Sequence, residues 1–171
     1  MFCVEDIKRE YKRLDQLWGV SISDVPICVV TAFKTMGCCY YQNGPSPVRK
    51  ICFAAILFEQ EESLFLEVIR HEYAHALVAF REPNQRHGHD KTWRMACLAV
   101  GGSGNRTYTP TPTILKAVQD NARYEVSCNN CGRVWRYLRA GRVVRALEKD
   151  LHSCTCNHCG SKDFTLKHLK R

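Results

Sequence analysis

The chain has 171 residues, a length that suits one domain or one domain with a small appendage. Its 45% apolar content argues against disorder, its longest apolar run, Ile51–Phe58, is too short to cross a bilayer, and the charges from Glu5 onward leave no secretory signal, so a cytoplasmic protein without a membrane partner is expected, nucleoid-associated or nuclear placement staying open. Residues 1–104 carry 12 Lys and Arg against 12 Asp and Glu, whereas residues 105–171 carry 13 against 5, so the net charge of +8 lies wholly in the C-terminal part and points to a polyanion partner, nucleic acid first.

Val4, Ile7, Tyr11, Leu14 and Trp18 recur at steps of three and four, the stripe of an amphipathic helix that Gly19 ends. Val25–Phe33 and Ile51–Leu57 are short apolar runs rich in β-branched residues and read as strands. Gly37 and the stretch Asn43-Gly44-Pro45-Ser46-Pro47 between them mark turns. Ser63–Phe80 reads as a long helix, followed by a polar loop over Arg81–Gly88. His89-Asp90 opens another helix carrying Trp93, Ala96, Cys97 and Val100, which Gly101-Gly102 stops. Pro112 is suited to the first turn of a helix reaching about Asn121. From Tyr124 on, the spacing predicts a cysteine-pinned β-hairpin.

The long helix contains His71-Glu72-Tyr73-Ala74-His75. Two histidines four apart project from one helix face and can share one ion. Glu72 adjoins them as a general base toward water that zinc activates. A catalytic zinc wants three protein ligands and one open position. The nearby candidates are His87 and His89, with Glu82 a weaker oxygen donor. His89 is preferred because Trp93, one turn into the following helix, can anchor it, while His87 reads as a solvated loop residue.

Five of the 11 cysteines lie between Cys128 and Cys159. Cys128-x-x-Cys131-Gly132 and Cys156-x-x-Cys159-Gly160 form two matching knuckles, the pattern of a structural zinc held by four thiolates. Cys154 offers an alternative to Cys156, and His152 and His158 are weaker alternates. The odd cysteine count and the missing export signal favour metal over disulfides, and Cys3, Cys28, Cys38, Cys39, Cys52 and Cys97 read mostly as small buried hydrophobes. Between the knuckles stand Arg133, Arg136, Arg139, Arg142 and Arg145, with Trp135 and Tyr137 interleaved. Arginines neutralise phosphates and rings stack on unpaired bases, so DNA, preferably single-stranded, is the expected partner.

His71-Glu72-x-x-His75-Ala76, followed 14 residues after His75 by His89-x-x-x-Trp93, resembles the SprT-like metallopeptidases. Gly101-Gly102 and the downstream ribbon agree, while Asp90 stands where that family's motif usually has Gly. The resemblance implies His71, His75 and His89 as ligands of a catalytic Zn²⁺, Glu72 as catalytic base, and a second, structural Zn²⁺ on Cys128, Cys131, Cys156 and Cys159. It further implies cleavage of proteins bound or crosslinked to DNA, a role in DNA repair. The expected fold is α+β: a zincin-like minimal metallopeptidase domain over residues 1–122, its motif helix packed on a small β-sheet, then a basic β zinc ribbon over residues 123–171. Two other readings stand beside it: a non-proteolytic nucleic-acid-binding zinc protein, and a cytosolic zinc peptidase unrelated to DNA.

Overall fold

The apolar stripe of the first segment forms α1, Val4–Trp18. The Asp6 carboxylate reaches back to the Cys3 N–H at 2.8 Å, capping the helix start, and Gly19 closes it in a left-handed conformation (φ 65°) that suits glycine. In the computed structural model, which describes residues 1–33, 35–43 and 47–169, the chain divides into two units, Met1–Thr109 and Pro110–Arg171.

The first unit holds a three-stranded sheet in the order β1-β3-β2. β1 (Ile27–Val30) runs parallel to β3 (Val48–Ala54), and β2 (Gly37–Tyr41) antiparallel to it with an irregularity at Tyr40/Tyr41. The apolar runs predicted the edge strand β1 and the central strand β3 but missed the other edge, β2, where Gly37 opens a strand instead of marking a turn. Gly-Cys-Cys-Tyr-Tyr has no β-branched residue, and only its two tyrosines favour a strand, so pairing with β3 contributes most of its strand character. Gly44–Ser46 of the predicted turn lie outside the described residues. Beyond Ala54 the expected strand gives way to a 3₁₀ turn, Ala55–Glu59.

Helix α2 spans Glu62–Arg81 and α3 spans Lys91–Ala99. α1 is fastened to α2 by three polar contacts over an apolar interface. The Tyr11 hydroxyl donates to the Ile69 carbonyl at 2.9 Å, the Tyr73 hydroxyl donates to Asp15 at 2.9 Å, and Arg70 donates to Glu10 at 2.8 Å. Asp15 also accepts from the backbone N–H groups of Ile22 and Ser23, so one buried carboxylate ties α1, α2 and the following turn together. The long helix thereby gains a fixed position from α1, and α2 is the element that carries the site.

Six cysteines were expected to serve mostly as buried apolar residues. The structure corrects this. Of the six, only Cys97 is both free and buried: Cys3 is exposed, Cys38 and Cys39 are half-buried, and Cys28 and Cys52 form a disulfide. The register of β1 and β3 sets Cys28 opposite Cys52, with Cα atoms 4.5 Å apart, inside the range that a disulfide spans.

The second unit begins with α4 (Pro112–Asp120), whose first turn contains Pro112 and whose N-cap Thr111 accepts from Ile114 N–H. Its sheet has the order β5-β4-β6, built from β4 (Tyr124–Cys128), β5 (Val134–Tyr137) and β6 (Phe164–His168), antiparallel throughout. The predicted hairpin is β4–β5. A third strand and a helix, α5 (Arg142–Lys149), complete the ribbon. Val126, Leu147 and Phe164 form its small core together with Cys128 and Cys156. The mixed α and β architecture is thus present. No helix among the described residues is long and apolar enough to cross a membrane.

Candidate active site and metal centres

α2 presents His71 and His75 on one face, and the chain returns through the Glu82–Asp90 loop to bring His89 against them. The Nε2 of His89 lies 2.9 Å from that of His71 and 3.2 Å from that of His75. Three imidazole nitrogens of the same kind converge within a space of ligand-sphere dimensions. A tetrahedral zinc with bonds of about 2.0–2.1 Å would set such nitrogens about 3.3 Å apart, so the observed separations fit a shared cation. The group could hold a metal ion. Burial pushes the ring pKa down to about 4 at His71 and about 3 at His75, and burial followed by the charge of Arg106 lowers that of His89. All three rings are therefore neutral at pH 7, the form that ligates.

Trp93, 1% exposed, is the shared wall behind these rings. Its ring centroid lies 4.6 Å from His71, 5.1 Å from His75 and 4.5 Å from His89. Expected as an anchor for one histidine, it serves three. The Asp90 carboxylate caps α3 by accepting from Trp93 N–H at 3.0 Å, and it also takes the Nδ1 of His87 at 2.7 Å. The other nitrogen of His87 meets Glu82 at 3.1 Å. His87 is thus corrected from a solvated loop residue to a strut. It stays out of the metal group, and its ring spans the two ends of the loop that delivers His89. Asp90, first notable as a departure from a glycine, is the cap that starts α3. A short polar residue three positions before Trp93 was the available sequence signal.

On the far side of His71, Glu67 accepts from Ser103 N–H at 2.9 Å and from its hydroxyl at 2.6 Å, and the Asn105 backbone hydrogen-bonds the His71 ring. The segment after α3 is thereby stapled to α2 one turn before the first histidine. Support of this kind orients a ligating ring.

Glu72 is 5% exposed, and burial pushes its carboxyl up to about 8 against an opposing hydrogen bond from the Cys39 backbone. Strand β2 comes so close that a Cβ at Gly37 would stand 2.5 Å from Glu72 Cγ and 2.6 Å from its Oε1. Gly37 and the Cys39 N–H are site features that sequence reasoning missed. They belong to a strand distant in sequence, and nothing local announces them.

In the ribbon, Cys128, Cys131, Cys156 and Cys159 are brought together, and they too could hold a metal ion. Cys128 Sγ lies 3.6 Å from Cys159 Sγ, and Cys131 Sγ lies 3.8 Å from Cys156 Sγ. A tetrahedron with bonds of about 2.3 Å has edges of about 3.8 Å, so the donors and their spacing fit zinc. Gly132 and Gly160 adopt φ of 70° and 74°, the left-handed turn that each knuckle needs. Cys154, half-buried against the ribbon core, stands outside the four-sulfur group.

The residues expected to touch nucleic acid are not all gathered. Trp135 and Tyr137 point inward along β5 and pack on the ribbon core. Arg136 points outward and pairs with Glu125, its register partner on β4, at 3.0 Å. Arg133 is exposed in the turn after the first knuckle. Arg139, Arg142 and Arg145 come together along one open groove, joined by Lys149, which the sequence reading did not single out.

No curated protein matches the chain. A model of the SprT-like family matches residues 4–114, a span that contains α1, the whole sheet of the first unit, the three converging histidines, Glu72 and Trp93. With that match over most of its length, and with the motif residues assembled as described, the chain belongs to the SprT-like family.

Proposed function

We propose that the chain is a zinc-dependent endopeptidase acting on proteins associated with or crosslinked to DNA, with a catalytic zinc on His71, His75 and His89 and a structural zinc on the four ribbon cysteines. The observation that carries this reading is the convergence of three neutral imidazole nitrogens on the helix that also bears Glu72. Zinc in that position supplies a Lewis acid for the scissile carbonyl and makes water more acidic. The chain's own residues do the rest. The three histidines, fixed by Trp93 and by the Glu67 and His87 contacts, hold the cation. Glu72 takes a proton from the attacking water on its carboxylate and returns it to the leaving amine. A carboxyl raised by burial but set beside a cation has opposing influences on its charge, which suits a group that must both accept and give a proton near neutral pH.

The four-cysteine set supports the structural role, since its donors leave no place for a substrate. The excess charge of the C-terminal part supports nucleic acid as the partner of the ribbon, and DNA in turn supports a nucleoid-associated or nuclear place of action. The test is cleavage of a DNA-binding protein, with and without single-stranded DNA, by zinc-loaded enzyme and by Glu72→Gln. Cleavage that DNA stimulates and the variant lacks is the expected result. No cleavage by protein holding two metal equivalents would remove the peptidase reading for that substrate class.

A further inference from the structure

Helix α5 is amphipathic in a way that separates anchoring from display. Val144 and Leu147 are buried at 0% and 2% exposure, three apart on one face, and they fasten the helix to the ribbon core. Arg142, Arg145 and Lys149 follow the i, i+3, i+7 spacing of another face and are exposed. Arg139, on the turn that leads into the helix, faces the same groove. The groove is open, about 690 Å³ in volume, and its remaining lining is small: Ala140, Gly141, Ala146 and Ser153.

Three features make this more than a solvated face. None of the four cations forms an ion pair among the described residues, whereas Arg136 nearby in sequence is neutralised by Glu125. The acidic residues of the same stretch are engaged elsewhere: Glu148 lies 3.7 Å from His168, and Asp150 accepts from His152 N–H. No carboxylate and no aromatic ring lines the groove, so it offers charge and room without a stacking platform.

We propose that this groove seats the phosphodiester backbone of nucleic acid on Arg139, Arg142, Arg145 and Lys149, and that it binds duplex and single strands alike. The inference rests on the reading of the ribbon as a nucleic-acid module and gives that reading its contact surface and its chemistry. Arginine and lysine neutralise phosphate irrespective of base. Preference for single strands needs rings that stack on unpaired bases; in the ribbon Trp135 and Tyr137 pack against the core, Tyr124 meets His168 edge-on at 5.0 Å, and none of the three lines the groove. An acidic protein segment would present carboxylates at irregular spacing, whereas a phosphate backbone repeats its charge along a line, as the helix face does.

The test uses full-length, zinc-loaded protein and fluorescence anisotropy with a labelled 20-mer DNA strand, its duplex and a polyglutamate peptide. Single strand and duplex are expected to bind within about threefold of each other. With about four phosphates neutralised, both affinities are expected to fall by roughly 50- to 150-fold between about 50 and 200 mM salt. Arg142→Glu/Arg145→Glu is expected to weaken both DNAs at least tenfold, while Lys116→Glu, a single charge reversal on α4 with half the charge change, changes them less than threefold. If the double reversal lowers the ribbon's metal content, Arg139→Gln/Lys149→Gln replaces it, with a loss of at least fivefold expected. Wild-type affinity in a metal-replete groove variant would overturn the proposal. So would a tenfold preference for single strands, or polyglutamate binding as tight as that of DNA. Cleavage of a DNA-free substrate by the same proteins reads the peptidase separately: its loss with DNA binding intact would sink only the catalytic reading.

Discussion

Gly37 and Glu72 lie 35 positions apart in sequence, yet a single carbon added at Gly37 would stand 2.5 Å from Glu72 Cγ. The edge strand therefore sets where the buried carboxylate can be. Gly37 has no positive φ, so alanine there strains no backbone and acts through its contact with residue 72. Gly37→Ala is expected to lower kcat by roughly 10²-fold, the cost of displacing a reacting group by about an ångström, with metal content unchanged. Steady-state kinetics beside metal analysis decide it. Activity within twofold of wild type would show that Glu72 has room to move.

His89 and His87 stand two residues apart but have different partners, so their removal separates the two roles. His89→Ala takes away one of three converging nitrogens and is expected to lose the metal of that site. His87→Ala opens the strut between Glu82 and Asp90 and is expected to retain metal, with affinity weakened by about 10- to 100-fold as for other supporting partners. Competition with a chelator of known affinity measures both. Metal lost from His87→Ala and kept by His89→Ala would reverse the assignment.

The difference between these two predictions shows what the sequence could convey. Local patterns carried the helices: the stripe from Val4 to Trp18, the run around His71 and His75, and the Pro112 start all became helices within a residue or two. Metal spacing carried the four ribbon cysteines because ligand geometry constrains sequence separation directly. What stayed hidden depended on tertiary pairing. β2 exists because β3 pairs with it, and its contribution to the site, Gly37 and the Cys39 N–H, has no local signature. The arginines between the knuckles were legible as charge but not as a surface, because their grouping depended on α5, and a helix there turns Arg142 and Arg145 to the same side as Lys149. The inward-facing rings of β5 followed from strand alternation that a single predicted hairpin did not orient.

Asp15 is the polar hub of the first unit. Its carboxylate accepts from Ile22 N–H, Ser23 N–H and the Tyr73 hydroxyl, and it is 8% exposed. Asp15→Ala leaves these donors without that acceptor and is expected to cost about 3 kcal/mol of stability. Tyr73→Phe removes only one of the three bonds and should cost about 1 kcal/mol. Urea denaturation of metal-loaded protein compares them. Equal losses would mean that the carboxylate matters only through Tyr73.

Glu10 joins α1 to α2 through Arg70, and it is held below the usual carboxylate range first by Arg13 and then by Arg70. A group with a lowered folded pKa contributes fully above its unfolded value of about 4.3 and loses that contribution as pH falls through the folded value. Glu10→Gln is therefore expected to be less stable than wild type at pH 7, by about 1 kcal/mol given the partial exposure. The gap should hold down to about pH 5 and close in stronger acid. Thermal unfolding across that range follows it, and a gap that widened on acidification would contradict the assigned sign.

Cys154 and Cys156 are two residues apart, and the structure gives them opposite duties. Cys156 is 3% exposed, with its sulfur 3.8 Å from that of Cys131. Cys154 packs beside Tyr137 against the core and takes no place among the four sulfurs. On the proposed reading, a ribbon with so few core residues would depend on a bound metal for folding. Cys156→Ala is expected to lose one metal equivalent and, with it, the dispersed amide signals of β4, β5 and β6, while Cys154→Ala keeps both. Cobalt substitution adds an independent count, since thiolate charge-transfer absorption reports how many sulfurs bind the ion. Three sulfurs in Cys154→Ala against four in wild type would move Cys154 into the ligand set. Four in both would leave it as packing, and the knuckle spacing would then be the whole of the ribbon's metal code.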